Sequence, residues 1–304
     1  MENENNKSRV AWLPWVISAV LLLAFLFFIV KYRHGGPGLF QTTLQENELL
    51  SSMRLNLFRA AEAEKSAVLA ITDEESKKFA DQSQQFAQDV AKARESLTPF
   101  INRDNSIKET SLLTEFDRCW TESTKLDALL LNLAVQNTNL HATNLALTKG
   151  TETVRRLEVT LTQLADSFGP ESRDTQSIRL VYQAIVASLK IHDLYTPHIQ
   201  AETDEKMDKI ESEIKANEKI LKNALDRLAK NVIGREKDSL RNPQALYVEL
   251  AQVTDEIIAL SRKNTNIKSL ELSLGKKRLI TAQCDEVLKS LQEAAQRKEV
   301  KATR

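Results

Sequence analysis

Histidine and cysteine are the side chains here best suited to hold a metal or act as nucleophiles, and their spacing serves neither purpose. His192 and His198 lie six apart with Pro197 between them, while His34 and His141 stand alone. Helical metal sites place ligands at i and i+3 or i+4 on one face, so no metal centre is expected. Cys119 and Cys284 are far apart and form no CxxC. That pattern writes neither a disulfide framework nor a zinc site, and the expectation is two buried structural thiols. Glu202, Asp204, Glu205 and Asp208 alternate with lysines, as on a solvated, ion-paired helix face rather than in an acid–base pair. Arg54 and Arg59 are the candidate ligand-binding residues, because a guanidinium fork matches a carboxylate; both would serve equally on a plain surface. No Gly-rich phosphate loop, Ser/His/Asp set or HExxH occurs, so neither an enzyme nor a cofactor is expected.

The elements that would position these residues are helices. The 304 residues are 42% hydrophobic and 28% charged, a balance that supports folded domains. With only 7 Gly and 6 Pro, and three of those Gly clustered in Gly35-Gly36-Pro37-Gly38, the chain is poor in turn formers, which predicts few, long helices. Lys plus Arg equal Asp plus Glu at 42 each, so no basic field exists to neutralise phosphates and nucleic acid is excluded as a partner.

From Ala11 to Val30 there is no charged residue, and twenty residues at about 1.5 Å each span roughly the 30 Å of a bilayer core. This predicts one transmembrane helix within 11–33, with Trp12, Trp15 and Tyr32 as interfacial anchors. Lys7 and Arg9 on one side balance Lys31 and Arg33 on the other, so charge does not decide the orientation. A tail (1–10) precedes this span and a Gly-rich linker (34–38) follows it.

Beyond the linker the apolar spacing is helical throughout. Helices are expected over about 39–70, 72–97, 107–135 and 139–168, with Pro99 and Asn102-Arg103-Asp104-Asn105 turning the chain. Thr72-Asp73-Glu74-Glu75 opens the second with a capping-box pattern. On its seam lie Phe79, Phe86, Val90, Ala93 and Leu97, and on that of the fourth Leu147, Val154, Leu157, Leu161 and Leu164. The plan then repeats. Thr203-Asp204-Glu205 lies 131 residues after Thr72-Asp73-Glu74, and Asn264-Thr265-Asn266 lies 127 after Asn137-Thr138-Asn139, with apolar registers that agree at each offset. The change of offset falls in the loop around Gly234–Pro243. The expectation is all-α: a transmembrane helix, then two tandem four-helix up-down bundles over 39–168 and 172–296, with a basic tail at 297–304 (Arg297, Lys298, Lys301, Arg304).

Ala61-Glu62-Ala63-Glu64-Lys65 leading into Thr72–Glu75, and NTNLHATNLALTKG from Asn137 to Gly150, resemble the four-helix-bundle ligand-sensing domain of methyl-accepting chemotaxis receptors. TDEK and NTNIKSLELSLGKK repeat the resemblance more loosely in the second half. It implies a periplasmic bundle on a single-pass tether in the inner membrane, dimeric, passing ligand occupancy to a chemoreceptor or another signalling membrane protein. The chain departs from the family in lacking a second span and a cytoplasmic signalling hairpin. The functional expectation is a non-enzymatic sensory or adaptor protein that binds a small ligand or a partner ectodomain. A helical scaffold at the membrane, on either side, is the alternative.

Overall fold

The computed structural model describes residues 39–168 and 175–302. The apolar span with Trp12, Trp15 and Tyr32, the Gly-rich linker, the Gly169-Pro170 break and Arg304 lie outside the described residues. What is described is helical, with no strand. Helices α1 (Leu39–Leu69), α2 (Asp73–Asp104) and α3 (Ile107–Ala134) are followed by α4 (Thr138–Leu145), a π-helical turn (Ala146–Gly150) and α5 (Thr151–Ser167). Then come α6 (Thr175–Asp193), α7 (Tyr195–Ile199), α8 (Asp204–Asn231), α9 (Gly234–Ser239) and α10 (Arg241–Lys263). The last stretch is α11 (Thr265–Leu272), a second π-helical turn (Ser273–Lys277) and α12 (Arg278–Ala302). Among the described residues no helix is long and apolar enough to cross a membrane.

The expected cap forms, with Thr72 Oγ1 accepting from the Glu75 amide at 3.1 Å, and Thr203 Oγ1 accepts from the Lys206 amide at 3.3 Å in the same way. They satisfy amide groups that a helix start leaves without a partner. Two expectations need correction. The second helix does not end near Leu97: Pro99 sits inside α2, exposed, and the chain turns at Asn105, whose φ of 48° an asparagine tolerates. Leu147 is not on the core seam but 66% exposed, and Leu274, its counterpart 127 residues on, is 53% exposed. Each lies in a π-helical turn, where the wider winding rotates the register away from the 3.6-residue pattern.

Packing divides the described residues into two compact units: those up to Leu55 with Asp89–Phe116 and those from Asp285, and those within Asn56–Gln88 and Asp117–Cys284. The first unit buries Leu50 and Met53 of α1, Val90, Leu97 and Ile101 of α2, Leu113 and Phe116 of α3, and Leu288, Leu291 and Ala295 of α12. In the second unit, Leu157, Leu161 and Leu164 of α5 share one core with Leu180 and Ile191 of α6, Leu221 and Leu228 of α8, and Leu246, Leu250 and Ile257 of α10. A separate cluster there joins Ala67, Val68, Ala80, Leu130, Leu131 and Ala134 to Leu270 and Leu272 of α11.

The units therefore do not follow the 39–168 and 172–296 boundaries of the repeat. The fourth helix of the first copy (α4–α5) packs with the first three helices of the second copy, and the fourth helix of the second copy (α11–α12) packs with the first three of the first. The copies have exchanged their last helices within one chain.

Candidate functional site

The exchange passes through the repeated Asn-Thr-Asn triplets, both inside the second unit. Asn137 (φ 47°) and Asn264 (φ 55°) adopt the left-handed conformation that breaks the helix and redirects the chain. Past these breaks the two strands of sequence bond to each other with roles interchanged. The Thr138 amide donates to Thr265 Oγ1 and the Thr265 amide to Thr138 Oγ1, each at 3.2 Å. The Asn139 amide donates to Asn266 Oδ1 at 3.1 Å and the Asn266 amide to Asn139 Oδ1 at 3.3 Å. Asn139 Nδ2 donates to Asn264 Oδ1 at 2.8 Å, and Asn266 Nδ2 to Asn137 Oδ1 at 3.0 Å. Every contact of residue i with j recurs as j with i, the signature of a two-fold interface, here between copies in one chain.

Asn139 carries the most: its Nδ2 also reaches the Ile199 carbonyl at 2.9 Å. Asn139→Ala would leave Ile199 O, Asn264 Oδ1 and the Asn266 amide short of a partner in a buried network. The expected cost is about 3 kcal/mol, read as a fall in the denaturation midpoint at unchanged slope.

Beside the second π-helical turn lies a buried charged cluster. Lys277, 4% exposed, donates to Ser123 Oγ at 2.6 Å and to Asp127 Oδ2 at 2.7 Å. Glu64 of α1, 1% exposed, completes it. Asp127 Oδ1 and Glu64 Oε1 have no hydrogen-bond partner. Burial pushes the Glu64 carboxyl above its ordinary range against the opposing pull of Ser273 and Lys277, and burial likewise raises Asp127 against Lys277.

The same three repeat positions meet in the other core. Tyr195, Thr254 and Gly150 stand where Glu64, Asp127 and Lys277 stand, at offsets of 131, 127 and −127. Tyr195 Oη bonds Thr254 Oγ1 at 2.7 Å, and the Tyr195 ring packs so close to Gly150 that an added Cβ would lie 3.2 Å from it. Burial pushes the Tyr195 hydroxyl up to about 12, so this version of the site stays neutral. One fold position thus holds a satisfied neutral contact in one copy and a charged, incompletely satisfied one in the other. Composition and motif reading pass over Glu64, Asp127 and Lys277; aligning the copies residue by residue would have picked them out.

Of the two arginines expected to bind a ligand, Arg54 is already engaged in an ion pair. Arg54 Nε donates to Asp285 Oδ1 at 2.8 Å and its Nη1 to Gln292 Oε1 at 2.9 Å, all in the first unit. Hydrogen bonding to Asp285 raises the Arg54 pKa, which marks a committed ion pair. In the second unit Arg59 lies over the Phe86 ring, 5.8 Å from its centroid, at the edge of an open groove of about 230 Å³ that Glu62, Ser66, Phe79 and Gln82 also line.

His192 contacts Thr151 Oγ1 at 3.0 Å, and His141 contacts Asp73 Oδ2 at 2.9 Å. His198, fully buried, bridges Ser261 Oγ (2.9 Å) and Glu211 Oε1 (3.0 Å). Arg262 draws Asp208, Asp204 and Glu211 together, and its hydrogen bond holds the Glu211 carboxyl below the usual range. The acidic stretch is thus ion-paired at Asp204 and Asp208, and Glu202 pairs with Lys206. Arg297 meets Glu293 within its helix, whereas Lys298 reaches the buried Glu46 at 3.3 Å.

The cysteines overturn the expectation of free thiols: Cys119 of α3 and Cys284 of α12 form a disulfide, with Cα atoms 5.7 Å apart. The residues are 165 apart in sequence, and only the helix exchange makes them neighbours. Their counterparts in the other copy, Leu246 and Leu157, are core leucines. The sequence matches no family model, and no curated protein is significantly similar to it.

Proposed function

We propose that this protein is a non-catalytic sensory or adaptor protein, tethered by a single transmembrane helix within 11–33, whose helical part works outside the cytoplasm by binding a partner ectodomain or a small ligand. The observation that carries the reading is the buried Cys119–Cys284 disulfide, because such bonds persist in the periplasm and other oxidising compartments and are rare in the cytosol. The uncharged span from Ala11 to Val30 supports the tether, and the resemblance to chemoreceptor sensor bundles supports a duplicated four-helix module as its extracytoplasmic part.

A protein partner, either a second copy or a signalling membrane protein, fits better than a carboxylate ligand at Arg54, since Arg54 is neutralised by Asp285. Apolar exposure points the same way. Leu55 and Phe58 of α1 are half-exposed, and the residues 131 further on, Val186 and Leu189 of α6, are exposed as well. Retention of an apolar pair at the same positions in both copies supports a protein-binding face on the first helix of each.

The test is topology. A reporter active only outside the cytoplasm, fused after Arg304 and compared with a cytoplasm-only reporter, is expected to give the external signal. Cytoplasmic activity would reject the sensory reading and leave an intracellular scaffold.

A further inference from the structure

We propose that Glu64, Asp127 and Lys277 form a proton-binding switch: with a proton on Glu64 the exchanged helix is held through its π-helical turn against α1 and α3, and loss of that proton loosens the turn. The inference rests on the cluster and not on the membrane reading. Three groups that can be charged are buried together, two acidic and one basic, so full ionisation leaves one negative charge without a partner. Lys277 spends its ammonium on Asp127 and Ser123. Glu64 Oε1 has no hydrogen-bond partner, so the one carboxyl not facing a lysine at bonding distance is the natural holder of the proton.

The charged groups acting on Glu64 are Asp127 from α3, Lys277 from the π-helical turn and Lys65 from its own helix. From α2, serine hydroxyls face α1: Ser76 donates to the Ala67 carbonyl and Ser83 to that of Ala60. Asp127 opposes ionisation of Glu64, and Ser273 and the two lysines favour it, but burial outweighs them.

The output element is adjacent. Ser273, beside Glu64, opens the π-helical turn and Lys277 closes it, while Gly275 between them leaves helical geometry (φ −90°, ψ −106°). Ionising Glu64 places a second carboxylate against Asp127 within reach of one lysine. Relief comes from admitting water, and the turn carrying Lys277 and Ser273 is the part that can yield. The equivalent position in the other copy, with Tyr195, Thr254 and Gly150, has no group that ionises in the same range. Of these two sets of three equivalent positions, only the one with Glu64 and Asp127 carries carboxyl groups.

For an acid whose folded pKa is raised, stabilisation is complete below its ordinary 4.5 and is lost as pH rises through the folded value. The full chain in detergent should thus show a melting temperature that falls by several degrees between about pH 5 and pH 8, with amide exchange at 273–281 faster than the intrinsic pH effect accounts for. Glu64→Gln, which keeps the shape and the neutral state, should flatten both responses while leaving the low-pH melting temperature within a degree or two of the parent. Infrared spectra of the parent should show a protonated carboxyl band that persists above the ordinary carboxylate range and vanishes as the pH is raised further. If Glu64→Gln keeps the parent's pH slope, the switch is refuted. Should that variant fail to fold, the infrared titration decides: a carboxyl band titrating above the ordinary carboxylate range upholds the proposal, and a titration confined to that range overturns it.

Discussion

Reducing the Cys119–Cys284 bond is expected to lower stability by about 4 kcal/mol, or about 6 °C in melting temperature for a protein of this size. The size of the effect comes from the 165-residue separation, since a cross-link closing so long a loop removes much freedom from the unfolded chain. Both cysteines are buried, at 2% and 0% exposure, so reductant reaches them only after opening. The comparison is best made by reducing in denaturant, blocking the thiols and refolding, with the Cys119→Ala/Cys284→Ala chain as a second reading. Alkylated and substituted chains should lose comparable stability, and the substituted chain should be indifferent to reductant. An unchanged melting temperature in both would show that the two helices are held without the bond. The bond also acts where the exchange needs it, fixing α12 to α3 of the opposite copy.

Lys277→Met is the second large effect, expected to cost about 3–5 kcal/mol near neutral pH, because it leaves a buried carboxylate without its cation. The pH dependence should reverse that of an ordinary paired acid. With the lysine gone, Asp127 and Glu64 both resist ionisation, so the penalty grows as pH rises above their ordinary 3.8 and 4.5 and disappears below those values. Denaturant melts of parent and variant across that range would measure it. Adding Asp127→Asn and Glu64→Gln to the variant should recover much of the loss, since the cluster then resembles the neutral Tyr195–Thr254–Gly150 contact that the other copy already tolerates. A single variant as stable at pH 7 as at pH 4 would mean that Lys277 does not neutralise the site.

Much of the architecture was legible in residue order. The scarcity of Gly and Pro and the heptad-like spacing of Val90, Ala93 and Leu97 specify long helices, and all three residues are buried. Thr72 and Thr203 specify helix starts, and both cap as their side chains allow. These are local properties, fixed by how a side chain meets its own helix within one or two turns. Leu147 marks the limit of that reasoning: a single π-helical turn rotates the register, and a 3.6-residue pattern then assigns the wrong face.

Residue order does not specify which helix packs against which, and the expected bundles over 39–168 and 172–296 each assumed a fourth helix folding back on its own copy. The offsets of 131 and 127 reveal two copies, but a four-helix module satisfies the same apolar seams whether its last helix folds back on its own copy or crosses to the other. Hydrophobic patterning specifies that a face is buried and is silent about the partner, because burial is non-directional. The choice depends on Asn137 and Asn264 turning through left-handed geometry and on the triplets bonding to one another, contacts between residues 127 apart. Once the last helices cross, Cys119 meets Cys284, Arg54 meets Asp285, and Lys277 enters the space between Glu64 and Asp127. The sequence by itself determined the helical class and the Thr72 cap; the tertiary structure alone decided which helices pair, and with that the disulfide and the buried charges, because those depend on distances across the fold that no local spacing encodes.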